Sequence, residues 1–234
     1  MIKINNENLA NYIMFKLDKL DNEFTEEELN QITEVVVNYD EEENTVTVID
    51  ELPKLKHLKS ITFRNGYIDN IDYHTFSKLN DLDEVVFERC EFENADLIAS
   101  LELKSLSLIN CDINSYDFIY IIEGLEELTV INGKIDFIKL NLLNKLRYLQ
   151  LSYSNIVNGN LNINALEELY IDNTDINDFT FVKELTNLKK ISIDKKQYEN
   201  NKELFDELIN NNIVILYENF AGFGGDDNAL WLSA

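Results

Sequence analysis

The side chains of this sequence best suited to metal binding or nucleophilic chemistry are two cysteines and two histidines. Cys90 and Cys111 are separated by 21 positions, and the histidines are His57 and His74. Two cysteines do not make a four-cysteine zinc site, and neither histidine has cysteine or carboxylate partners at zinc-ligand spacing. A redox pair or a metal pair at the cysteines is one interpretation. The favoured interpretation is structural, because free cysteine packs as a small apolar side chain.

Catalytic signatures are missing from the sequence. It contains no G-x-S-x-G, no P-loop, no G-x-G-x-x-G and no H-E-x-x-H. Carboxylates are so abundant that no pair of them marks an acid–base site, and the adjacent Asp226 and Asp227 make a weak metal candidate. We therefore expect no enzymatic activity, no catalytic residues, no metal site and no cofactor.

Composition and charge restrict the remaining functions. The 234 residues include 20 Lys and Arg against 44 Asp and Glu, a net charge of −24, and 45% of them are hydrophobic, which is enough for a core. Such a field repels phosphate, so no direct nucleic-acid binding is expected. The charge either serves solubility or attracts a basic protein partner. The sequence shows no membrane span and no signal peptide, which predicts a cytoplasmic protein.

An apolar pattern recurs along most of the chain. If its first apolar residue is position one, then Leu, Ile, Val or Phe occupies positions one, four and six of each copy. Seven copies begin at intervals of 20 to 24 residues, at Leu58, Leu82, Leu103, Leu125, Leu146, Leu166 and Leu188. An earlier, eighth copy is predicted at Ile32. Position nine is small in six copies: Gly66, Cys90, Cys111, Gly133, Ser154 and Thr174.

This pattern resembles the leucine-rich repeat, L-x-x-L-x-L-x-x-(N/C)-x-L, over residues 32–195. The period of about 22 residues resembles the short class found in bacterial internalins and in eukaryotic phosphatase-regulator repeats. The resemblance implies an α/β fold, a leucine-rich-repeat solenoid (horseshoe) with a parallel concave β-sheet and helical end caps. Gly, Cys, Ser and Thr replace the usual Asn at position nine, so we expect a weaker ladder of buried hydrogen bonds between neighbouring turns.

Helices are predicted at both ends, where terminal repeats would otherwise expose an apolar face. Helical spacing predicts a first helix within Asn8–Leu20, and Thr25 is expected to cap a second one. A helix at Glu199–Asn211 and a last strand at Ile213–Tyr217 are predicted at the other end. The expected organisation is a helical cap at 1–31, seven to eight repeats at 32–195, a C-terminal cap at 196–217 and a Gly-rich tail at 218–234.

The residues between the apolar positions are expected to point outward, onto the concave face that such solenoids use for binding. Ser152, at position seven, is one of them. Tyrosine inside a polar rim is a common interface composition, whereas single exposed apolar residues are ordinary. The predicted patch contains Ile109, Ile131, Tyr148, Gln150, Tyr153 and Tyr170, flanked by Glu88, Glu168 and Asp172.

These observations favour a non-enzymatic scaffold, of bacterial or phage origin, that binds a protein partner on its concave face. Within this class, an acidic inhibitor, immunity or anti-defence protein fits the negative charge. Part of the argument is an analogy of fold, because a fold alone does not determine a function.

The tail provides an alternative function. Gly224 and Gly225 precede Asp226, Asp227 and Trp231 in a segment that resembles a double-glycine leader junction followed by a short peptide. In this interpretation the repeats are a carrier domain that presents the tail to a modifying, exporting or proteolytic enzyme. The simpler interpretation is a flexible C-terminus that drapes over the cap.

Overall fold

The computed structural model describes residues 1–38, 51–68, 73–92, 95–218 and 230–232. The chain divides into two compact units, Met1–Gly124 and Leu125–Ala234. In each unit, short parallel strands follow one another along the chain and are linked by turns and by short helices.

The unit Met1–Gly124 begins with helices α1 (Glu7–Lys16) and α2 (Glu26–Leu29). The strands that follow are β1 (Glu34–Asn38), β2 (Ser60–Arg64), β3 (Tyr67–Ile68), β4 (Glu84–Glu88), β5 (Glu91–Phe92), β6 (Ser105–Ile109) and β7 (Asp112–Ile113). The main sheet is parallel, in the order β1–β2–β4–β6, and a smaller parallel sheet has the order β3–β5–β7. The connections include helix α3 (Tyr73–Phe76) and 3-10 helices at Leu52–Lys54, Asp96–Ser100 and Asp117–Ile121.

The unit Leu125–Ala234 continues the same arrangement. Its strands are β8 (Glu127–Ile131), β9 (Lys134–Asp136), β10 (Tyr148–Gln150), β11 (Asn155–Val157), β12 (Glu168–Tyr170), β13 (Lys190–Asp194), β14 (Val214–Glu218) and β15 (Leu230–Leu232). Strands β8–β10–β12–β13–β14 are parallel in that order, β15 pairs antiparallel with β14, and β9 pairs with β11. Its helices are α4 (Phe137–Leu140), α5 (Lys195–Asn200), α6 (Lys202–Asn210) and a 3-10 helix at Thr180–Glu184.

The strands bury the two apolar positions predicted to face inward. In β6, for example, Leu106 and Leu108 are fully buried, whereas the residues between and beside them are partly exposed. The same alternation occurs in β1, where Val35 and Val37 are buried and the strand pairs in register with β2. The period-two pattern of the repeat therefore places one apolar face of each strand in the core.

The two helices at the N-terminus differ in how well the sequence predicts them. Thr25 caps α2 as expected, through a capping box in which the Glu28 N–H donates to Thr25 Oγ1 and the Thr25 N–H donates to Glu28 Oε2. Helix α1 instead ends at Lys16, and Leu20 is fully exposed beyond it. The prediction that Leu20 continues the apolar face of this helix is wrong, because Asp18 adopts a positive φ of 51° and turns the chain away.

In six of the seven copies that begin at Leu58 to Leu188, the strand is followed by a residue in the left-handed backbone region, whereas in the last copy Lys195 begins helix α5. At position eight, φ lies between 53° and 60° in six copies: Asn65, Arg89, Asn110, Asn132, Tyr153 and Asn173. Asparagine adopts this conformation more readily than other non-glycine residues, which explains its recurrence. Arg89 and Tyr153 adopt it without that advantage, so both positions carry backbone strain.

Position nine forms the hydrogen-bond ladder with thiol and hydroxyl groups. Cys90 Sγ donates to the Phe63 carbonyl at 3.4 Å, and Cys111 Sγ donates to the Phe87 carbonyl at 3.3 Å. Ser154 Oγ donates to the carbonyl of Val130 at 2.9 Å. Because each acceptor lies in the preceding repeat, these bonds tie neighbouring copies together. Thiols are weaker donors than amides, in keeping with the expectation of a weaker ladder.

The ladder of the C-terminal unit ends on a residue that the repeat pattern does not reveal. Gln197 lies in α5, is almost completely buried, and donates to the carbonyl of Ile171 at 3.3 Å and to Thr174 Oγ1 at 3.1 Å. A cap helix thus supplies the side chain that a further repeat would have supplied. The only signal for it in the sequence is its place in the capping box with Asp194.

Replacing Cys90 and Cys111 with serine should preserve the fold at a modest cost. Burial raises the pKa of Cys90 to about 11 and that of Cys111 to about 12, so both thiols stay protonated donors near neutral pH. Serine keeps a donor, and we expect a loss of about 1 kcal/mol per site in urea denaturation. Alanine at both sites, which lacks the donor, should cost more. Loss of a stoichiometric metal from the serine variant would contradict the structural role.

Candidate functional site

Two tyrosines on neighbouring strands form the centre of the outward face of the sheet in Leu125–Ala234. Tyr148 lies in β10 and Tyr170 in β12, and their ring centroids are 5.2 Å apart with an interplanar angle of 40°. The Tyr148 hydroxyl donates to Gln150 Oε1 at 3.0 Å, and the Tyr170 hydroxyl donates to Glu168 Oε2 at 2.8 Å. Both rings are half-buried, and these hydrogen bonds hold them in place.

A lysine completes this cluster. Lys190 Nζ lies 2.8 Å from Glu168 Oε2 and 5.4 Å from the centroid of the Tyr170 ring. The hydrogen bond from Lys190 lowers the pKa of Glu168, and the same contact raises the pKa of Lys190. Glu168 was predicted as a flanking anion, but its charge is largely compensated by Lys190. The repeat pattern alone gave Lys190 no special role.

The tyrosine hydroxyls act as neutral groups at this site. Burial raises the pKa of Tyr148 to about 12, with the neighbouring Tyr170 and Glu168 adding to the shift. Burial also raises the pKa of Tyr170. A phenol that stays protonated can donate a hydrogen bond and contribute apolar ring area, but it is a poor general base near neutral pH.

Beyond the tyrosine pair, the face carries an exposed aromatic residue and a carboxylate. Tyr153 is 46% exposed and has a φ of 60°, and its N–H donates to the Asp172 carbonyl at 3.1 Å. Ser152 Oγ donates to Asp172 Oδ1 at 2.8 Å. In the described ranges no lysine or arginine pairs with Asp172. The arrangement offers an aromatic surface beside an anion.

Ser152 is more deeply buried than its repeat position predicts. Only 4% of its surface is exposed, although position seven was expected to face outward. The hydrogen bond to Asp172 holds the short side chain against the backbone, between the larger Tyr153 and Asp172. The sequence period therefore gives the side of the sheet correctly but not the depth of a small residue.

Three solved structures from Listeria monocytogenes are similar to this chain. An internalin C2 is 21% identical over 80% of this chain and 83% of its own, with a TM-score of 0.64. An internalin, InlF, is 22% identical over 80% of this chain and 55% of its own, with a TM-score of 0.61. InlP is 13% identical over 82% of this chain and 64% of its own, with a TM-score of 0.52. No protein-family model and no curated protein matches the sequence.

The chain has an internalin-like leucine-rich-repeat fold. The α/β solenoid predicted from the repeat, with its parallel sheet, is therefore confirmed.

The predicted site residues are distributed over both compact units of the chain. Ile109 and Glu88 lie opposite each other on β6 and β4 of Met1–Gly124, and both are half-buried. Glu88 pairs with Arg64 at 2.8 Å and with Arg89 at 2.9 Å, so it is not the free anion that was expected. The other predicted members, Ile131 among them, lie in Leu125–Ala234.

The remaining sequence candidates are the histidines and the residues of the tail. His57 Nδ1 lies 3.0 Å from Asp81 Oδ2 at the surface. In the part of the chain that the structure describes, no group of three or more His, Cys, Asp and Glu could hold a metal ion. No helix within the same ranges is long and apolar enough to cross a membrane. Gly224, Gly225, Asp226 and Asp227 lie outside the described residues, and Trp231 lies in β15.

Proposed function

We propose that this chain is a scaffold that binds a protein partner through the outward face of strands β8, β10, β12 and β13. The observation that carries the proposal is Tyr153. Its backbone is strained, its ring is exposed, and it lies where four of the six equivalent positions have asparagine. A residue that destabilises its own repeat is expected where it serves binding, since strain concentrates at functional sites.

The surroundings of Tyr153 support an interface. The paired rings of Tyr148 and Tyr170 are already ordered, so little side-chain entropy is lost when a partner covers them. Tyrosine anchors beside polar groups are typical of the residues that dominate binding energy. These features agree with a binding surface rather than with a reacting centre.

The charge distribution favours a basic partner. Asp172 has no cationic partner among the described residues, and the whole chain carries a net charge of −24. A lysine or arginine of the partner would pair with Asp172 while its neighbours pack on the tyrosines. Long-range attraction would raise the association rate and make it sensitive to salt. An inhibitor or immunity protein directed at a basic toxin or nuclease is the specific function that we propose within this class.

Replacing Tyr153 with asparagine should stabilise the protein and weaken binding. Relief of the left-handed strain is expected to raise the free energy of unfolding by up to about 1 kcal/mol. Loss of the exposed ring should weaken partner binding by at least about fivefold, since interface anchors contribute about 1 to 4 kcal/mol. Thermal melting and affinity for the partner captured from the source cells measure the two effects.

Arg89→Asn is the matched control for Tyr153→Asn. It relieves the same strain at the same repeat position but in the unit Met1–Gly124. We expect Arg89→Asn to stabilise the chain without weakening its binding to the partner. Wild-type binding by Tyr153→Asn would mean that Tyr153 is not part of the interface, and an equal loss in both variants would contradict an interface confined to the strands of Leu125–Ala234.

A further inference from the structure

The last parallel strand, β14, presents an apolar surface where the strand before it is polar. In β13 the outward positions are Lys190 and Ser192, and the residues opposite them in β14 are Val214 and Leu216. Val214 is 37% exposed and Leu216 is half-buried. The outward residues of β14 are therefore apolar where those of the neighbouring β13 are polar.

The edge of β14 that faces away from β13 carries backbone groups that can pair with a further strand. The Val214 N–H donates to the carbonyl of Lys189 at 2.9 Å, toward β13. Because N–H groups alternate in direction along a strand, those of Ile215 and Tyr217 face the other edge. An outer edge of this kind is a template for an extended segment.

The chain's own segment Leu230–Leu232 lies at this edge. Strand β15 pairs antiparallel with β14, so that Leu232 lies opposite Ile215, Trp231 opposite Leu216 and Leu230 opposite Tyr217. The pairing extends over three residues, and 11 residues, 219–229, separate the two strands in sequence. Tight hairpin loops have about two to five residues. A strand this short on so long a connection is readily exchanged.

We propose that the outer edge of β14 is a binding site for an extended apolar peptide, and that Leu230–Leu232, which pairs with this edge, is the chain's own displaceable occupant. The ligand is an antiparallel segment with the pattern of the tail, in which an aromatic residue stands between two aliphatic ones. Main-chain hydrogen bonds to Ile215 and Tyr217 would supply affinity, and the apolar surface at Val214 and Leu216 would select the sequence. A partner binds this site by displacing β15 from the edge of β14. This site is distinct from the tyrosine face.

A peptide-binding measurement tests the proposal. The probe is a fluorescently labelled synthetic peptide of residues 228–234, and the receptors are the full chain and a chain that ends at Glu218. We expect the shortened chain to bind the peptide, and the full chain to bind it at least about tenfold more weakly, because the tethered tail competes at a high effective concentration.

Two proline variants keep the test decisive. Leu232 lies opposite Ile215 and Leu230 lies opposite Tyr217, and the N–H groups of Ile215 and Tyr217 face this edge. Leu230→Pro with Leu232→Pro therefore removes the two backbone N–H donors of β15 that face β14. The proline peptide should not bind. The full-length chain with the same two prolines should bind the unmodified peptide as the shortened chain does, which removes any dependence on how truncation affects folding. Failure of both receptors to bind, or equal binding of the proline peptide, would overturn the proposal.

Discussion

Replacing Leu106 with aspartate should unfold the unit Met1–Gly124. Leu106 is fully buried in β6, and its strand pairs with β4 in register. An unpaired charge buried at this position costs several kcal/mol, a large share of the roughly 5 to 15 kcal/mol that stabilises a typical domain. Circular dichroism during heating should show a melting transition lowered by many degrees or lost.

Ser107→Asp is the control for Leu106→Asp. Ser107 is the next residue of β6 and lies on the opposite, half-exposed face. Aspartate there keeps access to water, so the melting temperature should change little. If Leu106→Asp melts like the wild-type protein, the assignment of inward and outward positions is wrong for this repeat.

Replacing both Tyr148 and Tyr170 with alanine should abolish most of the partner affinity while the protein remains folded. Each truncated anchor is expected to cost about 1 to 4 kcal/mol in binding, so a combined loss of at least about tenfold is expected. The rings pack on each other, so the pair should also contribute about 0.5 to 1.5 kcal/mol to stability. Paired measurements of melting temperature and of affinity for the captured partner separate the two effects.

Two further variants identify which part of the protein binds. Tyr148→Phe keeps the ring but loses the hydroxyl that donates to Gln150, so it should retain most of the affinity if ring area dominates. A chain that ends at Glu218 lacks the tail but keeps the tyrosine pair. If the double alanine variant binds like the wild-type protein while the shortened chain does not, the tail is the functional element and the tyrosine face is not.

The sequence predicts the core of this fold well because the same alternation of buried and outward positions recurs in every copy of the repeat. Each copy tests the same alternation, so positions such as Leu106 and Leu149 are assigned by several independent matches. The sequence also indicates the left-handed backbone conformation at position eight, since asparagine recurs there. Arg89 and Tyr153 share that conformation without the residue type that signals it, and only the structure shows their strain.

The site is harder to predict because its chemistry arises between strands. The pairing of Lys190 with Glu168 and the neutralisation of Glu88 by Arg64 depend on side-chain conformations across neighbouring repeats. A one-dimensional pattern gives the side of the sheet but not these partners. The strand Leu230–Leu232 is missed for a different reason: three residues are too few to show a period, and their partner lies at the end of another element.

The succession of strands in Leu125–Glu218 has an evolutionary consequence. The strands of its main sheet, β8, β10, β12, β13 and β14, are paired in the order in which they occur along the chain, while β9 and β11 pair separately with each other. A gene duplication that copied one repeat would therefore add one strand, widening the sheet by about 4.8 Å without breaking any register. Gain or loss of whole repeats would thus change the distance between the tyrosine pair and the outer edge of β14 by one strand spacing at a time.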